Sequence, residues 1–153
     1  MLPAARSAGL GERLRAVFGS SDDSAQTFLP ADEAFQFAAS AAGPRRLNLM
    51  WQIADGYYLY HDRFTFAIVK GGASLGQKPV SVPAGTVEHD PNFGKVEINT
   101  GNLSVDVPVN RTGTGEVPIV LRVGYQGCKK NEICYPPVTR EVALTLPPLG
   151  SSD

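Results

Sequence analysis

The position of two cysteines between two alternating stretches limits the fold of this chain more than any other feature. Cys128 and Cys134 are its only cysteines, and they lie in a short loop that also holds Gly127. The flanking apolar residues keep one parity, as half-buried strands do: Val117, Ile119, Leu121, Val123 and Tyr125 before the loop, and Val138, Val142, Leu144 and Leu146 after it. Two such strands joined by a short loop pair most simply as antiparallel neighbours. We therefore expect a β-hairpin with both cysteines at its tip, close enough for a disulfide if their Cβ atoms face each other.

Similar alternation recurs along the rest of the chain. It is clearest at residues 47–53, where every second residue is large and apolar. Shorter candidate strands, found by the same criterion, are residues 35–37, 64–68, 80–82, 96–98 and 103–109. Residues 71–78 are expected to form a flexible connection, and residues 30–34 one helical turn. Roughly seven to nine short strands without a long helix predict an all-β, immunoglobulin-like antiparallel β-sandwich.

The alternating segments also suggest how the chain is divided. Its 153 residues suffice for one domain with a core of its own, and we place this domain at residues 27–147. Residues 1–26 carry small residues, glycines and scattered charges, so we expect a flexible N-terminal tail there. Residues 148–153 lack periodicity and are predicted to form a C-terminal linker.

Charge and composition exclude several classes of function. Fourteen basic and fifteen acidic residues give a net charge of −1, which argues against a nucleic-acid partner or a surface for anionic membranes. No apolar run approaches the roughly eighteen residues of a membrane span, and no signal peptide is visible. If the protein is exported, we expect this sequence to be a mature fragment. His61 and His89 lie far apart without ligand spacing, so no metal site is expected.

A disulfide between Cys128 and Cys134 has two possible roles. As a structural staple it closes a loop of about seven residues, which contributes roughly 2.4 kcal/mol in the chain-entropy model. A lone cysteine pair in an exported domain is usually structural. As a redox pair it would exchange electrons with other proteins, although its C-x5-C spacing is not the C-x-x-C of thioredoxin-like proteins. The spacing alone leaves open both an exchange domain and an immunoglobulin-like interaction module with an inert disulfide.

Four segments of the sequence carry a further signal: residues 28–35 (FLPADEAF), 51–60 (WQIADGYYLY), 90–95 (DPNFGK) and 125–137 (YQGCKKNEICYPP). Together these segments resemble the family of amino-terminal periplasmic domains of the thiol:disulfide interchange protein DsbD. The resemblance independently implies an immunoglobulin-like fold and a redox-active Cys128–Cys134 pair. It assigns attack and mixed-disulfide formation to Cys134, and resolution to Cys128. No cofactor is implied, because the cysteine pair itself carries two electrons.

The resemblance also implies a location and a set of partners. The domain would face the periplasm and accept electrons from a thioredoxin-like domain, carboxy-terminal in the same parent protein. It would pass them to oxidised periplasmic thioredoxin-fold proteins such as the disulfide isomerase DsbC and cytochrome c maturation factors. Contact with a membrane is expected only through a transmembrane domain of the parent, which these residues do not include.

Four further residues are assigned to the site by the same resemblance. Tyr58, Tyr60, Asp90 and Phe93 are expected to wall and cap the cysteine pair, although isolated aromatic residues more often pack in a core. The cap departs from the family pattern, since Asp90-Pro91-Asn92-Phe93 replaces one carboxylate and one ring. Either Phe93 then caps the pair from a position shifted by one residue, or the pair is shielded less well than in the family. Asp90 is expected to be a solvated loop residue, or alternatively a proton acceptor during exchange.

Charges near the pair are expected to have little effect on its reactivity. Lys129 and Lys130 would favour a thiolate, whereas Glu132 and Asp90 would oppose it. Solvent screens charges at a hairpin tip. We therefore predict ordinary rather than strongly depressed thiol pKa values.

Overall fold

A computed structural model describes residues 28–150, and their regular structure is almost wholly antiparallel β-strand. One short helix, α1 (Ala31–Ala34), precedes the strands, and one 3-10 turn (His61–Arg63) interrupts them. The described residues form twelve strands: β1 (Phe35–Gly43), β2 (Arg46–Ile53), β3 (Tyr57–Tyr60), β4 (Thr65–Gly71), β5 (Ala73–Leu75), β6 (Thr86–Asp90), β7 (Gly94–Asn99), β8 (Asn102–Arg111), β9 (Val117–Tyr125), β10 (Gly127–Lys129), β11 (Ile133–Cys134) and β12 (Val138–Leu146). The prediction of an all-β chain is confirmed.

Two sheets enclose the core and form the sandwich. The first sheet has the strand order β1-β2-β8-β5, and the second has the order β12-β9-β4. Strands β9 and β12 are the predicted hairpin, paired in register from Val117 with Leu146 to Tyr125 with Val138. The immunoglobulin-like antiparallel β-sandwich predicted from the sequence is confirmed.

The apolar residues that alternate along these strands fill the space between the two sheets. In β2 the side chains of Leu47, Leu49, Trp51 and Ile53 are buried, and the residues between them are not. Strand β8 alternates in the same way along its whole length. Burial of one large apolar side chain contributes about 1.5–3 kcal/mol. If a strand slipped by one residue, every inward apolar side chain would turn outward and its burial energy would be lost. The alternation therefore fixes the register.

A third sheet, here called the site sheet, has the order β11-β10-β3-β7-β6. The site sheet adjoins the end of β9: after Gln126 the chain enters β10, which pairs with β3. The tip of the hairpin is therefore a smaller hairpin of its own, made by β10 and β11. The cysteine pair lies at this tip, as predicted.

Two local predictions are wrong. Residues 80–82 do not form a strand, because Pro79 and Pro83 flank them and cannot donate to a ladder. Their valine side chains pack against the core from an irregular loop instead. Residues 71–78 are not simply a connection, since Ala73–Leu75 form β5 and pair with the end of β8.

The proposed ends of the domain stay predictions. Residues 1–26, the predicted tail, lie outside the described residues, as do residues 151–153 of the predicted linker. Within residues 28–150, no helix is long and apolar enough to cross a membrane.

Candidate active site at the cysteine pair

Strand β3 presents two different faces because its side chains alternate in direction. Tyr57 and Leu59 point into the core of the sandwich. Tyr58 and Tyr60 point the other way and are buried in a separate cluster with Cys128. Cys128 lies directly opposite Tyr58 in the ladder between β10 and β3. The site sheet thus brings both predicted wall tyrosines beside the cysteine pair.

Cys128 and Cys134 form a disulfide and lie directly opposite each other on β10 and β11. Next to them, the N–H of Tyr135 donates to the carbonyl oxygen of Gly127 at 2.9 Å. The cysteines therefore occupy a non-hydrogen-bonded pair, the position where side chains come closest, and their Cα atoms are 3.9 Å apart. Gly127 allows β10 to approach β3, since a Cβ there would lie 2.1 Å from the carbonyl oxygen of Tyr58.

The two cysteines are not equally accessible. Cys128 is 1% exposed and belongs to the buried cluster. Cys134 is half-buried and lies on β11, the edge strand of the site sheet. A protein that approaches the pair therefore meets Cys134 first.

Asp90 is the buried charged group of the site, with 2% of its surface exposed. Its Oδ2 accepts hydrogen bonds from the hydroxyls of Tyr58 and Tyr60, the latter at 2.7 Å. Its Oδ1 accepts from the backbone N–H groups of Asn92 at 2.7 Å and Phe93 at 3.0 Å. The expectation of a solvated Asp90 is wrong, because this turn folds the carboxylate back under the loop.

These hydrogen bonds set the protonation of the site. Burial alone would raise the pKa of Asp90, but the four donors outweigh it and hold that pKa below its ordinary value of 3.8. Burial, followed by the hydrogen bond to Asp90, raises the pKa of Tyr60 to about 12. The same causes in the same order raise the pKa of Tyr58 further. At neutral pH the carboxylate is charged and both tyrosines are neutral donors.

Tyr60 connects this carboxylate to both sulfurs. Its hydroxyl oxygen lies 2.9 Å from Cys128 Sγ and 3.4 Å from Cys134 Sγ, in addition to its bond to Asp90. A proton leaving either thiol in the reduced state would therefore have a short path to Asp90 through one hydroxyl group.

The cap loop, residues 91–93 between β6 and β7, lies over Cys134. The side-chain amide of Asn92 donates to Cys134 Sγ at 3.0 Å. Phe93 is 48% exposed and packs edge-on against Tyr60, with 5.3 Å between the ring centroids. Within the cap loop, the polar contact to the sulfur is thus made by Asn92, and the capping role of Phe93 stays a prediction.

Two residues that the sequence did not single out hold the cap loop from outside. The Arg63 guanidinium lies 4.4 Å from the centroid of the Phe93 ring, a cation–π distance. Arg63 Nη1 also donates to Gln126 Oε1 at 3.3 Å, and Gln126 Nε2 donates to the carbonyl oxygen of Tyr135 at 3.1 Å. This chain of contacts links the cap loop to the backbone that follows Cys134. Arg63 follows the aromatic strand by three residues, a spacing that carries no recognisable signal.

The sequence predicts that solvent screens the charges near the cysteine pair, and the structure differs at Asp90. Lys130 lies 3.5 Å from Glu88, and Lys129 lies 3.8 Å from Glu132, so both cations face acidic partners at the surface. Asp90 is shielded from solvent instead, with its carboxylate and the two sulfurs within 4.8 Å of one another. Reduction would therefore place any thiolate beside a buried negative charge, which opposes ionisation. The same three residues are no metal centre in this state, because bonded sulfurs offer no thiolate ligand.

The fold and the site together define a class of domain: an immunoglobulin-like sandwich that carries a disulfide beside a buried carboxylate, under a loop, without a thioredoxin fold. A sequence model of the family described as thiol:disulfide interchange protein DsbD, N-terminal, matches residues 25–146. The chain belongs to this family, and the resemblance found in its four sequence segments is confirmed.

Similar proteins of known name agree with this assignment. The thiol:disulfide interchange protein DsbD of Vibrio cholerae is 42% identical over 118 residues, which are 77% of this chain and 18% of that protein. The chain thus spans less than a fifth of the length of this relative. The DsbD N-terminal domain of Neisseria meningitidis, solved in the reduced form, is 30% identical with a TM-score of 0.63, covering 81% of this chain and 98% of the other. A complex between the DsbD and PilB N-terminal domains of the same organism gives 26% identity and a TM-score of 0.58, covering 81% and 95%.

Proposed function

We propose that this chain is a periplasmic thiol–disulfide exchange domain that passes electrons to oxidised partner proteins through Cys128 and Cys134. The observation that carries the proposal is the unequal access to the two sulfurs. Cys134 is half-buried on an edge strand under a short loop, whereas Cys128 is buried behind it. An attacking cysteine must be reachable by a partner, and a resolving cysteine need reach only its neighbour.

The exchange consists of two displacements. In the reduced domain, the Cys134 thiolate attacks one sulfur of a partner disulfide; a mixed disulfide forms, and the other partner sulfur leaves as a thiolate with the electron pair. The Cys128 thiolate then attacks Cys134 Sγ, the Cys128–Cys134 bond forms, and the second partner sulfur leaves as a thiolate. Two electrons pass to the partner, and two protons follow to its thiolates.

Tyr60 and Asp90 assist the second displacement by moving a proton. The Cys128 thiol must lose its proton before it attacks, and the Tyr60 hydroxyl lies within 2.9 Å of that sulfur and 2.7 Å of the carboxylate. Because the pKa of Asp90 lies below its ordinary value, the carboxylate holds this proton only transiently, and the proton passes on to the departing partner thiolate.

The partners we propose follow from the parent family. Electrons arrive from a carboxy-terminal thioredoxin-like domain of the same parent protein, which is anchored by a transmembrane domain. They leave to periplasmic thioredoxin-fold proteins of the DsbC and cytochrome c maturation type. The Neisseria complex, in which a DsbD N-terminal domain is bound to another protein's domain, supports docking of separate proteins at this fold.

The alternative is an interaction module with an inert disulfide. Two observations disfavour it. The bond joins residues that adjacent strands already hold opposite each other, so it adds little constraint. A similar Neisseria domain is described in the reduced form, so in that protein the fold does not require the bond. A measured reduction potential separates the two functions: a structural bond typically lies below about −300 mV, and an exchange pair lies higher.

The decisive experiment is disulfide transfer. The reduced chain is mixed with an oxidised thioredoxin-fold protein, and the products are identified by mass after alkylation. We expect Cys128→Ser to accumulate a mixed disulfide and Cys134→Ser to form none. If Cys134→Ser trapped the partner instead, the two roles would be reversed; if the unmodified chain transferred nothing, the inert-disulfide alternative would be favoured.

A further inference from the structure

We propose that Asn92 is a catalytic residue whose side-chain amide donates a hydrogen bond to Cys134 and stabilises the Cys134 thiolate. This inference rests on the proposed function, since it matters only if Cys134 reacts as a thiolate. It assigns a chemical role to a residue of the cap loop, where this chain departs from the family pattern that its sequence resembles.

The contact is directed at the sulfur that we expect to react. Asn92 Nδ2 lies 3.0 Å from Cys134 Sγ. A bonded sulfur has no proton to give, so the amide is the donor and the sulfur the acceptor. The same donor would bind a thiolate more strongly than a disulfide sulfur, because hydrogen bonds to a charged partner are about twice as strong as neutral ones.

The turn from which this amide extends is fixed by hydrogen bonds before any reaction. The N–H groups of Asn92 and Phe93 both donate to Asp90 Oδ1, at 2.7 and 3.0 Å. The ring of Pro91 fixes its own φ angle at the start of the same turn. The ring of Phe93 contacts the ring of Tyr60 and the guanidinium of Arg63. A donor fixed in this way needs little reorganisation when charge develops on the sulfur.

The donor also answers an electrostatic difficulty of the site. The carboxylate of Asp90 lies within 4.8 Å of both sulfurs and repels a thiolate on either one. A bond from Asn92 offsets this repulsion at Cys134, the accessible sulfur. The arrangement therefore favours ionisation of the cysteine that a partner can reach.

The same bond helps when the domain is itself reduced. A donor thiolate attacks Cys134 Sγ, a mixed disulfide forms, and Cys128 leaves with the electron pair of the broken bond. A second donor thiolate then attacks the donor sulfur of that mixed disulfide, and Cys134 leaves as a thiolate. Asn92 is positioned to stabilise this leaving group, because its amide donates to Cys134 Sγ.

A loop residue that only shields Cys134 would behave differently, and the two roles can be separated by pH. Shielding changes the alkylation rate equally at pH 7 and on the high-pH plateau, where the rate no longer rises, whereas thiolate stabilisation acts on the pH 7 rate. On that plateau the thiol is fully ionised with or without Asn92, even though Asp90 opposes its ionisation. The ratio of the two rates thus reports on stabilisation alone.

The test uses the full chain in its reduced Cys128→Ser form, so that Cys134 is the only thiol. Its alkylation by iodoacetamide is measured at pH 7 and on the plateau, alone and with Asn92→Leu, Asn92→Gln or Asn110→Leu added. Asn92→Leu keeps the approximate volume and removes the donor, Asn92→Gln keeps an amide, and Asn110 is an exposed residue of β8. Both leucine variants are checked for folding by near-UV circular dichroism.

We expect Asn92→Leu to lower the ratio of the pH 7 rate to the plateau rate about three- to tenfold, a modest effect because Asn92 is exposed. Asn92→Gln should recover part of it, and Asn110→Leu should leave it unchanged. An unchanged ratio with Asn92→Leu, whether or not both rates rise, would overturn the proposal. Since no partner protein is involved, a failed transfer assay would count against the proposed function and leave this result standing.

Discussion

The two faces of strand β3 carry the same kind of residue and are stabilised in different ways. On the core face, the ring of Tyr57 packs edge-on against Phe35 at 6.0 Å between centroids and lies 6.2 Å from the ring of Tyr135. On the site face, Tyr58 and Tyr60 pack against each other at 5.6 Å, but both direct their hydroxyls to Asp90. One face uses tyrosine mainly as a large ring, and the other uses it as a hydrogen-bond donor.

This difference shows what a buried charge requires. Asp90 is as deeply buried as the core residues, and each of its oxygens accepts two hydrogen bonds. A buried charge with fewer partners would be strongly destabilising. The site face therefore depends on a complete polar network, whereas the core face depends on packed volume. Substitutions on the two faces should differ in size, in pH dependence and in their effect on the disulfide.

The largest effect is expected on the core face. Leu59→Ala removes a fully buried side chain and should lower the free energy of unfolding by about 3 kcal/mol, measured by urea denaturation. The reduction potential of the cysteine pair should stay unchanged, because Leu59 points away from the sulfurs. A loss below about 1 kcal/mol, or a shifted potential, would show that the two faces are not independent.

Asp90→Asn tests the site face and should cost somewhat less, about 2–3 kcal/mol at pH 7. The amide presents its own N–H groups to donors, so at least one tyrosine hydroxyl or backbone N–H loses its acceptor. Urea denaturation measures the loss, and Asp106→Asn, at an exposed position of β8, is the matched control. A neutral result for Asp90→Asn would mean that the network is not needed for stability.

The pH dependence of the stability should also differ between variants on the two faces. The pKa of Asp90 is lower in the folded chain than its ordinary value of 3.8. The stability it contributes is therefore fully present above about pH 4 and is lost as the pH falls through the folded pKa. The stability of Leu59→Ala should fall in acid as steeply as that of the unmodified chain, whereas that of Asp90→Asn should fall less steeply. Equal slopes for all three chains would contradict the lowered pKa.

The fold could be predicted from the sequence because burial follows alternation. Alternation at residues 47–53 and in the two strands around the cysteines predicts which side chains face inward. The structure confirms this prediction. The strand prediction for residues 80–82 is wrong because it rests only on the alternation of Val80 and Val82. The prolines on either side lack the backbone N–H groups that a β-ladder needs. β5 was missed because its three residues form a strand only against the free edge of β8.

The candidate site was predicted only in part, for a different physical reason. Cys128, Cys134, Tyr58 and Tyr60 are placed by strand pairing, which the sequence pattern and the family resemblance indicate. Two of the four hydrogen bonds to Asp90 are local, from the turn that follows it, but the other two join residues about thirty positions apart. No local pattern encodes such contacts. The role of Arg63 could not be predicted for the same reason, since its partners Phe93 and Gln126 lie in two other segments.

Tyr60→Phe should have a smaller effect on stability, about 1 kcal/mol, because the ring stays in place and only one donor to Asp90 is lost. Its effect on exchange should be larger, since this hydroxyl lies beside both sulfurs and Asp90. Stopped-flow measurement of disulfide transfer should show a slower reaction for Tyr60→Phe and an unchanged one for Tyr57→Phe, the matched change on the core face. Equal rates for both variants would remove the hydroxyl of Tyr60 from the proton path.

The smallest effect on stability, below about 0.5 kcal/mol, is expected for Arg63→Met at the outer border of the site face. Methionine keeps an apolar stem against Phe93 but removes the guanidinium that lies over its ring and binds Gln126. The cap loop should then open more often, and a small phosphine should reduce the disulfide several-fold faster. Arg122→Met removes a surface arginine paired with Glu141, far from the loop, and should leave that rate unchanged. In a Phe93→Ala background, Arg63→Met should have no further effect if the two side chains act together; a full additional increase would mean that Arg63 shields the disulfide on its own.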